Sequence, residues 1–201
     1  MTNEEQLYNF INNKRLLIVG GSSDASNKSF EWYESFDVIV RLNNYKSIHN
    51  HRTDIFFSYF GKNIKKSPDD LQNDGVKFLI NKCPNSDMSK SLQNSFVDMQ
   101  DYKWIYKLRK NWWFCPLISI TEKELLTQIV LLDGYMPTVG LSSVLYFILR
   151  MKQINIIGFD CFKSNIHNLN EPWDNSGNHV LEKEELILQT LVKNERIIWN
   201  K

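Results

Sequence analysis

The segment Arg15-Leu-Leu-Ile-Val-Gly20 is a continuous apolar run stopped by the pair Gly20-Gly21. A run without polar alternation fits a strand buried on both faces, and such strands belong to parallel sheets covered by helices on each side. Asp37-Val-Ile-Val-Arg-Leu42, Thr53-Asp-Ile-Phe-Phe-Ser58 and Val76-Lys-Phe-Leu-Ile80 repeat the pattern. Ile154-Asn-Ile-Ile-Gly158 and Arg196-Ile-Ile-Trp199 extend it to the end of the chain. Helical text lies between these runs. An amphipathic stretch, Glu4 to Asn12, precedes the first strand, and Ser22-Ser23-Asp24 offers an N-cap for a helix over 25–35. Residues 86–110 read as helical but irregular. Thr121-Glu-Lys-Glu124 fits a capping box that opens a helix reaching Leu132. Leu141 to Met151 reads as a buried helix, and another runs from His179 to Lys193, after a polar loop over 163–178. Alternation of this kind predicts one α/β domain over residues 1–201, a mostly parallel twisted sheet with helices on both faces.

Composition narrows the function classes. With 24 Lys+Arg against 23 Asp+Glu the net charge is +1, so no global field steers the chain to nucleic acid. Hydrophobic residues at 42% supply a packed core and exclude wholesale disorder. Cys83, Cys115 and Cys161 are too few and too far apart for a disulfide framework or a zinc knuckle. A reducing, cytoplasmic setting is the simpler reading. No stretch has the roughly 20 apolar residues of a membrane span, and the polar start lacks the order of a signal peptide.

In a parallel sheet, ligands sit at the carboxyl ends of the strands. Gly20 to Ser23, Asn43, Ser58 and Gly158 to Asp160 all fall there. The turn Leu17-Ile-Val-Gly20-Gly21-Ser22-Ser23-Asp24 offers backbone N–H groups to a phosphate or other polar ligand. It is not a dinucleotide fingerprint, because the third glycine of G-x-G-x-x-G is replaced at Asp24 and Ala25. It equally serves as a plain tight turn. Arg41 and Asn43 are one residue apart at a strand end, which period-2 alternation puts on one face. The Asn43 amide can read a base or ribose edge, or cap the next turn.

Taken together, these pieces resemble the sialyltransferases. Val19-Gly-Gly-Ser-Ser, Arg41-Leu-Asn43 and Arg52-Thr-Asp-Ile-Phe-Phe are similar to the family's large motif, with its V-G-N-S turn, R-x-N strand end and R-T segment. Met136-Pro-Thr-Val-Gly-Leu-Ser-Ser-Val-Leu-Tyr-Phe with Ile154-Asn-Ile-Ile-Gly-Phe159 resembles the small motif. His179-Val-Leu-Glu-Lys-Glu184 matches the very small motif, H-x-x-x-x-E, and His167-Asn-Leu-Asn hints at the remaining histidine motif. Order and placement agree over about residues 15–199 and point to glycosyltransferase family 29. The bacterial family 42 is a close second, through Thr138-Val-Gly-Leu and Gly158-Phe-Asp160.

The resemblance implies a Rossmann-like fold of the GT-A-variant sialyltransferase type and inverting transfer from a CMP-activated sugar. CMP-sialic acid or CMP-Kdo is the implied donor, a glycan or glycolipid hydroxyl the acceptor. Gly20, Gly21, Ser22, Asn43, Thr138, Val139, Gly140, Gly158, Phe159 and His167 are the implied donor-binding residues. His179 is the implied general base, with Glu184 supporting the helix or loop around it because five positions is a poor helical spacing for direct contact. A helix opening at His179 further favours a neutral imidazole through the macrodipole. His49 and His51 read as surface loop residues. There are departures. Gly21 stands where the family has asparagine, no cysteine precedes Leu16 in this sequence to form the family's disulfide, and the amino-terminal membrane anchor of the Golgi enzymes is not expected. The chain is shorter than typical members, which implies reduced acceptor-side loops.

Metal-dependent nucleotide-sugar transferases hold Mg or Mn with D-x-D, and none occurs among the twelve aspartates. No metal and no cofactor are therefore expected. Lys103-Trp-Ile-Tyr-Lys-Leu-Arg-Lys-Asn-Trp-Trp-Phe114 mixes bases and aromatics, which suits a packed helix end with snorkelling lysines, a sugar face, or peripheral contact with anionic lipid. Nucleic acid fits least at this net charge. Two other readings stay open: a nucleotide-binding module without turnover, and an NAD(P)-dependent oxidoreductase.

Overall fold

The computed structural model describes residues 1–45, 52–60, 65–83, 115–160, 166–167, 171–172 and 179–200. Seven parallel strands form one sheet: β1 (Leu16–Val19), β2 (Val38–Leu42), β3 (Ile55–Ser58), β4 (Phe78–Asn81), β5 (Leu117–Ser119), β6 (Ile154–Ile157) and β9 (Ile197–Asn200). Their order is β5-β4-β3-β2-β1-β6-β9. The expected α/β architecture is present. A two-stranded antiparallel ribbon, β7 (Ile166–His167) with β8 (Glu171–Pro172), lies in the segment read as a polar loop.

One sheet face carries Leu16, Ile18, Val40, Phe57, Ile80 and Ile156. It is covered by α1 (Asn3–Ile11), α4 (Glu122–Leu131), α5 (Val139–Ile148) and α6 (Leu181–Lys193) through Leu7, Leu125, Val144, Phe147 and Leu188. The other face carries Leu17, Val19, Ile39 and Ile157 under Ala25, Tyr33 and Phe36, from the 3-10 turn Ser23–Asn27, α2 (Phe30–Glu34) and the turn after it. Beside them, Phe56 and Leu79 pack under Leu71 of α3 (Pro68–Asn73). Full burial of every residue in β1 to β4 explains why these strands read as near-continuous apolar runs, interrupted at Arg41 and ending on Ser58 and Asn81.

Several expectations need correction. The helix over 25–35 is split, because Lys28 is extended (φ −96°, ψ 145°) and Ser29 starts a new helix by capping Trp32 N–H. Helix α5 begins at Val139 rather than Leu141, with Thr138 as its N-cap. His179 does not open α6; Val180 is the N-cap and the helix starts at Leu181. The stretch 86–110, Lys103–Phe114, His49, His51 and Cys161 lie outside the described residues. Cys83 and Cys115 are buried, and no disulfide joins them among the described residues. No helix among the described residues is long and apolar enough to cross a membrane.

Candidate functional site

The chain leaves β1 toward β2 on one side and leaves β6 toward β9 on the other, so the order reverses between two adjacent strands. Crevices in open α/β sheets form at such a point, beyond the carboxyl ends. Here the two strand ends interlock. Gly20 N–H donates to Ile157 O at 2.8 Å, and Ser22 N–H to Gly158 O at 3.1 Å. A Cβ on Gly20 would stand 2.3 Å from Gly158 O, so no side chain fits there. Gly158 has φ +75° and its carbonyl turns into this contact. The Phe159 ring lies over both Gly20 and Gly140: a Cβ on either would meet it at 3.2 and 3.1 Å. Gly20 and Gly140, from segments far apart in the chain, thus converge on one aromatic ring, with Gly158 beside them against Gly20. Next to them the Ser22 hydroxyl is buried without a hydrogen-bond partner among the described residues.

Above this crossing stands the N-terminus of α5. Thr138 caps it, its Oγ1 accepting from Leu141 N–H at 3.1 Å. The N–H groups of Val139 and Gly140 precede the first intrahelical bonds and donate to no partner among the described residues, which leaves them able to meet an anion. The segment before the helix is held by three side chains. His179 Nδ1 lies 2.8 Å from Met136 O, Lys82 Nζ donates to Pro137 O, and Glu184 accepts from Thr138 N–H at 2.7 Å and Thr138 Oγ1 at 2.5 Å. Glu184 is only 4% exposed and Lys82 6%.

These contacts set the protonation chemistry. A carbonyl facing Nδ1 requires that nitrogen to carry the proton, which leaves Nε2 as the lone-pair atom of neutral His179. Burial holds the imidazolium below its ordinary pKa, Lys82 adds to that, and the Met136 carbonyl opposes it. The helix macrodipole is not the cause, since His179 lies outside α6. Burial pushes the Glu184 carboxyl up, against its bonds to Thr138 and the charge of Lys82. Burial pulls the Lys82 ammonium down.

Asn43 lies beyond β2 with φ 47°, so the same-face expectation for Arg41 and Asn43 fails where period-2 backbone ends at Leu42. Its Oδ1 accepts from Ser58 Oγ at 3.0 Å, which joins the ends of β2 and β3. Arg41 instead points inward, 1% exposed, with its guanidinium 5.6 Å from the rings of Tyr33 and Tyr45. His167 has its backbone in β7 opposite Glu171; its side chain is not among those described. Gly21 sits half-buried in the turn after Gly20. The residue that sequence reasoning missed is Lys82. Its only signal was a charged residue directly after an apolar strand, Phe78-Leu-Ile-Asn-Lys82. No group of three or more His, Cys, Asp and Glu among the described residues is placed to hold a metal ion.

No family model matches this chain, and no curated protein matches it by sequence. Solved structures do. A mammalian sialyltransferase crystal structure superposes on 94% of this chain and 69% of its own, with TM-score 0.60 and 14% identity. A mammalian sialyltransferase in complex with Gal-beta-1-3GalNAc-ortho-nitrophenol gives the same coverage, with TM-score 0.62 and 15% identity. The fold is sialyltransferase-like. Within that fold, the glycine crossing lies at the strand-order reversal, and the segments that resemble the large, small and very small motifs meet through Gly20, Gly140, Phe159, Thr138 and Glu184.

Proposed function

We propose that this chain is an inverting, metal-independent glycosyltransferase that moves a sialic-acid-type sugar from a CMP-activated donor to a glycan hydroxyl. The observation that carries the reading is one juxtaposition. The N–H groups at the start of α5, unpartnered among the described residues, stand one short segment away from an imidazole whose Nδ1 is already bonded, which supports reading them as an anion site beside a base. The sialyltransferase-like fold supports it.

In this reading the nucleotide lies against the Gly20-Gly21-Ser22 turn, with Asn43 reading its polar edge and Phe159 closing the floor. The donor phosphate meets the N–H groups of Val139 and Gly140 and the hydroxyl of Thr138, with His167 as a further donor. His179 Nε2 takes the proton of the acceptor hydroxyl as its oxygen attacks the anomeric carbon from the face opposite the phosphate. The bond from that carbon to the phosphate oxygen breaks, and CMP leaves with the electron pair. A base held neutral by burial is useful for this step, a role worth about 10²–10⁴-fold in rate. Glu184 does not touch the reacting atoms; it fixes Thr138 and with it the phosphate-binding end of α5.

A second reading, a nucleotide-binding module without turnover, rests on Gly21, which removes an amide that the sialyltransferase motif supplies. Calorimetry with CMP, CDP, UDP and NAD separates the classes. The transferase reading expects CMP to bind tightest. Tighter binding of NAD refutes it, and CMP binding with neither donor hydrolysis nor transfer favours the module. CMP-sialic acid and CMP-Kdo compared as donors decide the sugar.

A further inference from the structure

Lys82 is the unexplained charge of this site. It follows β4, at the same carboxyl-end level as the glycine crossing, and its ammonium is buried. Removing an ammonium from water is costly unless it is compensated. Its hydrogen bond goes to a neutral acceptor, Pro137 O, while Glu184 acts on it through space with its oxygens committed to Thr138. A packing role at this place would be filled at lower cost by methionine. The grip on Pro137 is central, because Met136 on one side receives His179 and Thr138 on the other receives Glu184.

We propose that Lys82 is a positioning residue: by holding the Pro137 carbonyl it fixes the segment between α4 and α5, and so sets both the ring orientation of His179 and the seat of the α5 N-terminus. His179 then presents Nε2 and not Nδ1 to the crevice. Among the described residues, Lys82 bears on the imidazole from the loop after β4 and the Met136 carbonyl from the segment before α5, while Glu184 on α6 bonds the neighbouring Thr138. Cys83 and Glu184 bear in turn on Lys82. The catalytic consequence rests on His179 being the base; the geometric role does not.

The test is nitrogen NMR of the His179 ring in the full chain against pH, for wild type, Lys82→Met, Lys82→Gln and Lys82→Arg. Wild type is expected to show the Nδ1-protonated tautomer and a midpoint below that of a free histidine. Lys82→Met is expected to mix the tautomers and raise the midpoint by about half a unit or more, as loss of a nearby positive charge requires. Lys82→Arg, which keeps charge and donor, is expected to restore both, and Lys82→Gln the tautomer alone. A folded Lys82→Met with wild-type tautomer and midpoint overturns the proposal. Should Lys82→Met not fold, Lys82→Gln and wild type decide: an Nε2-protonated wild type, or a midpoint at or above the free value, overturns it equally. A chain that shows the ring response but binds no CMP has lost the transferase reading and kept this one. An active transferase with an unresponsive ring has done the reverse.

Discussion

Glu184 on α6 accepts both the backbone N–H of Thr138, at 2.7 Å, and its hydroxyl, at 2.5 Å, and thereby locks the N-cap of α5 from a helix that starts more than forty residues later. Both oxygens are occupied in a buried place, and burial raises the carboxyl pKa above its ordinary 4.5. A carboxyl whose folded pKa is raised binds protons more readily folded than unfolded. Its contribution to stability is therefore full below the ordinary value and falls as pH rises through the raised one. Glu184→Gln removes that dependence. Thermal unfolding between about pH 5 and 8 is expected to show the wild type losing stability relative to Glu184→Gln as pH rises. Parallel curves would contradict this account of Glu184.

The Gly20–Gly158 crossing gives a second prediction. The added methyl of Gly20→Ala meets backbone 2.3 Å away, with no flexible side chain to move aside. Urea unfolding is expected to show a loss of about 1–3 kcal/mol, the usual cost of overpacking. Gly158→Ala adds a left-handed backbone to a 3.0 Å contact and is expected to lose at least as much. Wild-type stability in either variant would mean that the strand ends are free to separate.

Asn43 separates binding from folding. Its φ of 47° tolerates glycine better than alanine, while either substitution leaves Ser58 Oγ without its Oδ1 acceptor. Asn43→Ala is expected to be less stable than Asn43→Gly by about 1 kcal/mol. Both are expected to weaken CMP by about 1–3 kcal/mol in calorimetry, through loss of a polar partner. Full CMP affinity in Asn43→Gly would reduce Asn43 to a turn residue.

The sheet was legible wherever both strand faces are buried, as in β1 through β4, because an apolar run then needs no partner pattern to be recognised. Strand β5 escaped notice, since Leu117-Ile-Ser119 is three residues long with no alternation to read. Helix α3 is six residues, too short to show an amphipathic period, although Ser67 and Pro68 open it with a capping box. Gly20, Thr138, Gly140 and Glu184 could be singled out by motif, but not the way they meet, which depends on β6 returning beside β1. The neutral imidazole expected at His179 was ascribed to the helix macrodipole, whereas burial is what lowers its pKa, because the helix begins two residues later than its sequence implies. Lys82 has no motif at all. Its meaning comes from Pro137, which the fold alone brings to it.

The most direct test measures initial rates of sugar transfer from labelled CMP-sialic acid to a panel of glycan acceptors, for wild type and His179→Ala, across about pH 5–9. A base whose conjugate acid is held low by burial is neutral from mildly acidic pH upward, so the wild-type rate is expected to rise at low pH and level off below neutrality. His179→Ala is expected to lower turnover by about 10²–10⁴-fold and abolish the ascending limb, with CMP affinity nearly unchanged. A wild type that transfers nothing from any CMP-sugar, or a His179→Ala variant with full turnover and the same limb, would contradict the account.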